Sequence, residues 1–383
     1  MRAILIAVLL ALAAAAQTPV PAARLENIRK YFDARPGEQP LQCDVLPIKP
    51  SLGFSLRFQA GYTVSVPLKQ YTGDGHRLIV ATRITPEGGE PAYLFQRFRM
   101  GKVPETKTRA KLDGGYLLGE GRYAVECALF DDSGRVSRKM WSIDARLRRG
   151  DRGAKLAIPP GTVSPLTVGI RPVRAPLDAV ESRLTILLHA APLLPGRTRL
   201  RASDLFLLFS GLTSLLERLP ARSVKLVAFN LDQQKELFRQ DSFTPAAMDR
   251  VMEALTGLEL GVVDYDVLKN RGGSLDLLAA LVQQELHAGT PSDAVVLLGP
   301  LTRMQDALPR EAARDPRGPT PRFYYLQFNP YPFAWSRFQD SLVRTNPLAT
   351  DSISRLVARF QGKPIAIRSP GEFAKALELV GRR

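Results

Sequence analysis

Hydrophobic and polar positions in the second half of the chain alternate between two kinds of pattern. From Arg183 onward, several short runs are almost wholly apolar, which is typical of strands that are buried on both faces of a sheet. The strongest runs are 184–188, 224–229, 294–298 and 323–328, and weaker ones lie at 235–239 and 364–367. Helical patterns separate most of them. This alternation predicts a doubly wound, mostly parallel α/β sheet over 183–383, with helices covering both faces.

Polar residues mark where the predicted helices begin. Ser203 or Asp204 is placed to cap the first helix, because short oxygen-bearing side chains accept hydrogen bonds from the free N–H groups of a first turn. Thr244 precedes Pro245, which suits the first helical position. The later helices are predicted over 275–287 with Ser274 as the cap, and over 335–344, 353–360 and 372–380.

Residues 40–147 show the two-residue alternation of strands. Tyr62–Val66 alternates apolar and polar side chains, and the runs 123–130 and 137–143 flank the turn signal Asp131-Asp132-Ser133-Gly134. Short strands with regular turns predict a β-sandwich of the immunoglobulin kind. The chain is therefore expected to be multidomain, with this sandwich preceding the α/β domain.

Composition supplies the remaining boundaries. Residues 148–182 are rich in Pro, Gly and Arg and predict a linker, with an extended strand near 166–170. Residues 17–39 are expected to form an N-terminal segment that includes a short amphipathic stretch at 25–32.

The first residues have the pattern of a secretory signal. One Arg precedes an apolar run from Ala3 to about Leu12, and small residues follow it. The run is too short for a comfortable membrane span, which needs about 20 residues. We expect residues 1–16 to be a signal peptide and the protein to be exported, periplasmic or secreted, without an integral membrane span after cleavage. The alternative is an uncleaved N-terminal anchor.

The chain is strongly basic, with a formal net charge of +16 and a pI of about 10.1. Lys and Arg are spread along the sequence, and no recognition helix, zinc finger or aromatic RNA-binding motif accompanies them. We therefore expect no nucleic-acid partner. The charge indicates a solvated surface, with electrostatic attraction to anionic surfaces as a secondary property.

The sequence contains two cysteines, Cys43 and Cys127, both ahead of the predicted α/β domain. An even pair in an exported protein predicts a disulfide. The alternative is a pair of buried thiols.

The order of elements after Arg183 resembles the von Willebrand factor A domain, over about 200 residues. The segments that carry the resemblance are Leu184–Leu193, Val224–Asn230, Gly272-Gly273-Ser274-Leu275 and Val295–Pro300. It implies the fold predicted above, and it implies protein binding at the rim where the strands end.

The family's metal site begins with the motif Asp-x-Ser-x-Ser after the first strand. The matching positions here are His189, Ala191 and Leu193; the family's Thr matches Ser274, and its later Asp falls on Gly299 or Pro300. A hard divalent cation needs oxygen ligands, and a single hydroxyl does not supply them. The sequence therefore predicts a degenerate site, with no metal and no cofactor.

Catalytic motifs are not evident in the sequence. It contains no Gly-x-Ser-x-Gly elbow, and Gly272-Gly273-Ser274 lacks the lysine of a phosphate-binding loop. We therefore name no catalytic residue and expect a non-enzymatic protein. The alternative is a hydrolase that acts on an envelope polymer at the carboxyl ends of the strands, where open α/β sheets place ligands. Convergence of His189, Ser274 and a carboxylate would favour that alternative.

The preferred function is an exported interaction or scaffold protein that binds a protein partner of the envelope or the exterior without a metal. The expected contact surface is the rim at the carboxyl ends of the strands. Its residues are Pro192, Leu193, Leu194, Gly273, Ser274, Leu301 and Thr302.

Overall fold

A computed structural model describes most of the chain. The described residues are 18–19, 26, 28–29, 32, 40–71, 73, 75–103, 107–166, 182–194, 197–219, 221–262, 265–302, 304, 320–329 and 351–382. The predicted signal peptide (1–16) and the predicted helix at 335–344 lie outside them.

The chain divides into two compact units that do not follow sequence order. The first consists of Met1–Leu52, Arg57–Leu147 and Ile158–Thr167, and the second of Gly53–Leu56, Arg148–Ala157 and Val168–Arg383. The predicted linker is therefore divided between the units. Residues 148–157 belong to the second unit, 158–166 belong to the first, and 167–181 lie outside the described residues.

The first unit contains strands β1 to β9. Their bounds are β1 Thr18–Pro19, β2 Asp44–Leu52, β3 Phe58–Pro67, β4 Arg77–Pro86, β5 Ala92–Arg99, β6 Arg109–Leu118, β7 Gly121–Asp131, β8 Val136–Ala145 and β9 Val163–Pro165.

The second unit contains strands β10 to β15 and helices α1 to α6. The strands are β10 Arg183–His189, β11 Ser223–Asn230, β12 Lys235–Gln240, β13 Ala294–Pro300, β14 Arg322–Phe328 and β15 Lys363–Ile367. The helices are α1 Ala202–Arg218, α2 Met248–Thr256, α3 Tyr265–Lys269, α4 Gly273–Leu286, α5 Ser352–Arg359 and α6 Pro370–Gly381.

Two antiparallel sheets form the first unit. Their strand orders are β1-β5-β4-β7-β8 and β2-β3-β6-β9. Tyr62 of the second sheet joins the two, because its hydroxyl shares a 2.8 Å hydrogen bond with Thr82 and its ring meets Trp141 edge-on at 6.1 Å. Within the predicted N-terminal segment, Ile28 and Phe32 are buried in one cluster with residues of β4, β5 and β7.

The second unit is built around a six-stranded mixed sheet of order β12-β11-β10-β13-β14-β15. The central strand β10 pairs in parallel with β11 on one side and with β13 on the other. Its residues Leu184–His189 are all buried, as their near-continuous apolar run predicts. The edge strand β12 runs antiparallel to β11.

The prediction of a doubly wound, mostly parallel α/β fold similar to a von Willebrand factor A domain is wrong. The described residues are mostly β, in two antiparallel sheets and one mixed sheet, with few helices. Apolar runs locate buried strands but do not fix their direction or the total strand content. After Asn230 the chain passes through the turn 231–234 and returns antiparallel as β12, where a doubly wound fold would cross over through a helix.

The predicted disulfide is also wrong, because Cys43 and Cys127 are free thiols. Cys127 lies fully buried in β7, opposite Thr82 of β4 and Lys139 of β8. Cys43 is half-buried, and its thiol lies against the Ser137 hydroxyl. A disulfide requires a specific separation and orientation of the two side chains, which an even cysteine count does not provide.

None of the helices in the described part of the chain is both long and apolar enough to cross a membrane.

Candidate functional site

The carboxyl ends of the parallel strands in the second unit meet at one edge of the mixed sheet. β10 ends at His189, β11 at Asn230, β13 at Pro300 and β14 at Phe328. Ligands of open sheets bind at such an edge. We call this region the carboxyl edge, and it contains every residue that the sequence predicts for the rim.

His189 is a buried polar group at the carboxyl edge. Its side chain is 2 % exposed and stacks against Phe229, with ring centroids 5.3 Å apart. Burial lowers the pKa of His189 to about 4, and the nearby Pro300 backbone offsets only part of that effect. Among the described residues, neither ring nitrogen makes a hydrogen bond of normal geometry. His189 is therefore neutral at neutral pH and faces a largely apolar environment.

Asn230 holds the loop that follows β10. Its Nδ2 donates to the Ala190 carbonyl at 2.7 Å, and its Oδ1 accepts from the Gln233 N–H at 2.7 Å. The side chain is fully buried. The sequence analysis identified Asn230 only as the end of an apolar segment. A single asparagine directly after such a segment could have indicated a side chain that hydrogen-bonds to neighbouring backbone groups.

Asp204 fixes the far side of the same loop. Its carboxylate accepts from the Leu193 N–H at 3.2 Å and from the Arg201 N–H at 2.8 Å. The helix cap predicted at Ser203 or Asp204 is therefore displaced, because Arg201 is the N-cap of α1 and Asp204 lies three residues into the helix. Ala191 is buried, and Pro192, Leu193 and Leu194 are half-buried.

Ser274 uses its hydroxyl within the fold. The Oγ donates to the Leu231 carbonyl at 2.8 Å, and Ser274 lies inside α4, whose N-cap is Gly272. A Cβ at Gly273 would lie 2.0 Å from Gln234 Oε1, so only glycine fits there. Both residues therefore secure α4 to the turn after β11.

The segment after β13 closes on a buried carboxylate. Asp351 Oδ2 accepts from the Thr302 N–H at 3.0 Å, and Oδ1 accepts from the Ser354 N–H at 2.8 Å, which caps α5. The Tyr325 hydroxyl lies 2.9 Å from the Pro300 carbonyl and 3.1 Å from Asp351 Oδ2, so one proton serves two acceptors.

Burial raises the pKa of Tyr325, and the negative charge of Asp351 raises it further. Sequence reasoning missed this network. An aspartate directly before an amphipathic helix is a recognisable cap signal, but its links to Thr302 and Tyr325 depend on the fold.

Gly299 allows two neighbouring strands to approach closely. A Cβ at this position would lie 2.7 Å from both the Cβ and the carbonyl oxygen of His189. Pro300 is buried beside it and Leu301 is half-buried. The positions matched to the family's metal site thus serve packing between β10 and β13.

His189, Ser274 and Asp351 at the carboxyl edge are not hydrogen-bonded to one another. Ser274 donates to a backbone carbonyl, Asp351 accepts from Thr302, Tyr325 and Ser354, and His189 is hydrogen-bonded to none of them. In the described part of the chain, no three His, Cys, Asp or Glu side chains gather into a metal-binding group. The predicted lack of metal dependence stays a prediction.

An exposed apolar stripe adjoins the carboxyl edge. Val262, Tyr265 and Leu268 are 57 %, 75 % and 61 % exposed, and their three-residue spacing places the last two on one face of α3. The backbone of this segment is anchored to the turn after β11, since Gln233 Nε2 donates to the Val262 carbonyl at 3.2 Å and Gln234 Nε2 to the Val267 carbonyl at 3.3 Å. We call these three residues the Tyr265 stripe.

No protein-family model and no curated protein matches the chain. Among solved structures, the X-ray structure of a structural genomics target is 13 % identical, with a TM-score of 0.18, over 27 % of this chain and 85 % of that one. Spo0M, a sporulation control protein from Bacillus subtilis, is 11 % identical, with a TM-score of 0.15, over 29 % of this chain and 51 % of its own. Bacteroides uniformis β-glucuronidase 2 is 10 % identical, with a TM-score of 0.20, over 75 % of this chain and 36 % of its own.

The chain thus spans about half of Spo0M and 36 % of the glucuronidase. Similarities at these TM-scores carry no argument about fold or function.

Proposed function

We propose that this protein is an exported, non-catalytic binding protein that engages a protein partner at the carboxyl edge of the mixed sheet, without a metal ion. The observation that carries the proposal is the Tyr265 stripe. Large apolar side chains grouped on a surface favour a contact with another molecule, and tyrosine is enriched among residues that dominate binding energy.

The stripe is presented on an anchored backbone. Gln233 donates to the backbone carbonyl of Val262, and Gln234 donates to those of Val267 and Asn270. Because the amide side chains fix the backbone, little backbone conformational entropy is lost when the stripe binds. The predicted rim residues Leu193 and Leu194 connect to the same region through Ala190 and Asn230.

The charge near the stripe is mixed. Lys269 and Arg271 are exposed next to it, whereas Asp264 and Asp266 flank Tyr265 in the sequence. The net charge of +16 on the whole chain would accelerate association with an acidic partner. Export rests on the sequence pattern of residues 1–16.

Site-specific photo-crosslinking in the native host tests the proposal. A photoreactive phenylalanine analogue replaces Tyr265 in one strain and the exposed Lys375 of α6 in another. We expect a discrete crosslinked protein from position 265 and none from position 375. Its identity then allows affinity to be measured with purified components.

Quantitative binding completes the test. Tyr265→Ala and Leu268→Asp should each weaken the purified complex about tenfold or more, while Lys375→Ala should leave its affinity unchanged. Equal affinity of the wild type and both stripe variants would refute the stripe as the contact surface. Identical crosslinks from positions 265 and 375 would do the same.

A further inference from the structure

We propose that the second unit contains a separate binding site for a small anionic amphiphile, meaning an aliphatic chain with a carboxylate or phosphate head. The site is a groove of about 420 Å³ between the end of α1, the face of α6 and the two short segments 53–56 and 148–157. It shares no residue with the Tyr265 stripe, so it goes beyond the proposed function. We call it the Lys155 groove.

The floor of the groove is apolar and fixed. Leu56, Ala374 and Leu377 line it, and all three are buried. Leu56 is held in a left-handed conformation at φ 52, where its N–H donates to the Gly53 carbonyl at 2.9 Å and its carbonyl accepts from the Ala157 N–H at 2.9 Å. A preformed apolar floor favours an aliphatic group without further ordering of the protein.

The rim of the groove is basic. Lys155, Arg218 and Arg382 line it, and Glu378 is the one acidic side chain among the lining residues. The Arg218 guanidinium donates to the Lys155 carbonyl, and Arg322 donates to the Arg382 carbonyl at 2.7 Å. These bonds hold the backbone of two cationic residues at the mouth.

Helix ends reduce the positive charge but do not cancel it. α1 ends at Arg218 and α6 at Gly381, and each carboxyl end contributes about half a negative charge. The three cations of the rim face one negative charge from Glu378 and about one more from the two helix ends together. About one net positive charge therefore remains to attract a ligand. A single anionic head is the complement of that remainder.

Size selects the ligand class. The volume of the groove falls in the range of about 300–1,000 Å³ that holds small organic ligands. The apolar floor lies below the basic rim, so one molecule reaches both only if it combines a chain of several carbons with a charged head. A free inorganic anion would leave the apolar floor empty, and a neutral hydrocarbon would gain nothing from the positive charge of the rim.

Calorimetric titration of the purified full chain tests the proposal. The ligands are decanoate, decyl phosphate, decyltrimethylammonium, acetate and inorganic phosphate. We expect decanoate and decyl phosphate to bind at least tenfold more tightly than acetate, inorganic phosphate or the cationic amphiphile. Equal binding of decyltrimethylammonium would overturn the assignment of an anionic site, and equal binding of inorganic phosphate would overturn the role of the apolar floor.

Matched variants locate the site. Lys155→Glu should weaken decanoate binding at least tenfold, whereas Lys375→Glu, at an exposed position of α6 outside the groove, should change it less than twofold. Photo-crosslinking of the wild type with an aliphatic diazirine carboxylate, mapped by mass spectrometry, locates the site without any variant. We expect crosslinks in the segments that line the groove, at Leu56, Lys155, Arg218 or 374–382. Crosslinks confined to segments outside the groove, or an unchanged affinity of Lys155→Glu, would overturn the proposal. Loss of the Tyr265-dependent complex would leave these results unaffected.

Discussion

The imidazole of His189 stacks on the ring of Phe229, with the centroids 5.3 Å apart and the planes 27° from parallel, yet within the described residues neither imidazole nitrogen makes a hydrogen bond of normal geometry. Burying a polar group that lacks a hydrogen bond costs stability, and burying the same group in its charged form costs far more. The histidine thus behaves as a flat packing group whose protonation the fold opposes.

Acid should destabilise the protein through His189. Its pKa is about 4 in the folded chain, against an ordinary value of 6.5. Between these values the unfolded chain binds a proton that the folded chain does not, so falling pH favours unfolding. From pH 7 to pH 4.5, this residue should cost about 2 kcal/mol of unfolding free energy. Urea unfolding at both pH values measures the loss.

The control for this prediction is His189→Leu, which has no titrating group. Carboxylates contribute to acid sensitivity in both proteins, so the informative quantity is the difference between their pH dependences. A wild type and a variant that lose the same unfolding free energy would contradict the assignment to His189.

Asp351→Asn should destabilise the second unit by about 2–4 kcal/mol. Both carboxylate oxygens accept backbone N–H groups, from Thr302 and Ser354. The asparagine side chain has one oxygen and one NH₂ group. In either flip of the amide, the NH₂ group would face one of these two buried N–H donors. Tyr325→Phe removes a single hydroxyl and should cost about 1 kcal/mol. Chemical unfolding would decide, and an Asp351→Asn variant as stable as the wild type would show that the network is dispensable.

Divalent cations should not stabilise the protein. The Ser274 hydroxyl, which sequence matching assigned to a degenerate metal site, donates to Leu231. A ligand that binds only the folded state raises the melting temperature, so millimolar Mg²⁺, Mn²⁺ or Ca²⁺ should leave it unchanged. Ser274→Ala should cost about 1 kcal/mol whether or not a cation is present. A cation-induced rise that Ser274→Ala abolishes would contradict this.

Replacing Leu193 and Leu194 together with Asp should leave the protein folded and abolish capture of the partner. Both side chains are half-buried, and the backbone of Leu193 is held by Asp204 independently of its side chain. Circular dichroism checks folding, and the purified complex checks binding. Unfolding of the double variant would show that the loop is internal packing, and unchanged binding would place the contact surface elsewhere.

The two thiols should differ in reactivity. Burial raises the pKa of Cys127 to about 12, and it also raises the pKa of the half-buried Cys43. Because the thiolate is the reactive form, Cys127 should resist alkylation in the folded protein and Cys43 should react slowly. Both should react in denatured protein without a reductant. Mass spectrometry of alkylated protein from the native host is the measurement, and an unreactive pair would restore the disulfide.

The sequence predicted the positions of the buried strands better than it predicted their pairing and direction. The apolar runs at 184–188, 224–229, 294–298 and 323–328 lie within β10, β11, β13 and β14. Burial on both faces leaves a strong local signal of this kind. The direction of β12 and the predominance of strands have no comparable local signal, because they depend on pairing partners that are distant in sequence.

The sequence did not predict the contacts of the residues that it named at the carboxyl edge. His189, Ser274 and Gly299 all lie at the carboxyl edge, yet their roles are stacking, a backbone hydrogen bond and close strand packing. The Tyr265 stripe was missed because Tyr265 lies between two aspartates, a local pattern that does not indicate an apolar surface. The exposure of a side chain depends on the whole fold. The spacing of Tyr265 and Leu268 in the sequence therefore does not show whether these side chains face solvent or the core.

The composition of the second unit has a practical consequence for dissecting the protein. The Phe54 ring meets Phe328 and Phe373 at 5.3 and 6.0 Å, the Phe54 carbonyl accepts from Ser214, and Asp151 accepts from the Gly371 N–H. A truncation that begins at residue 183 would remove Phe54 and Asp151 and leave two phenylalanine rings uncovered. Such a fragment is expected to aggregate. The functions of the two units should therefore be separated by point substitutions in the intact chain.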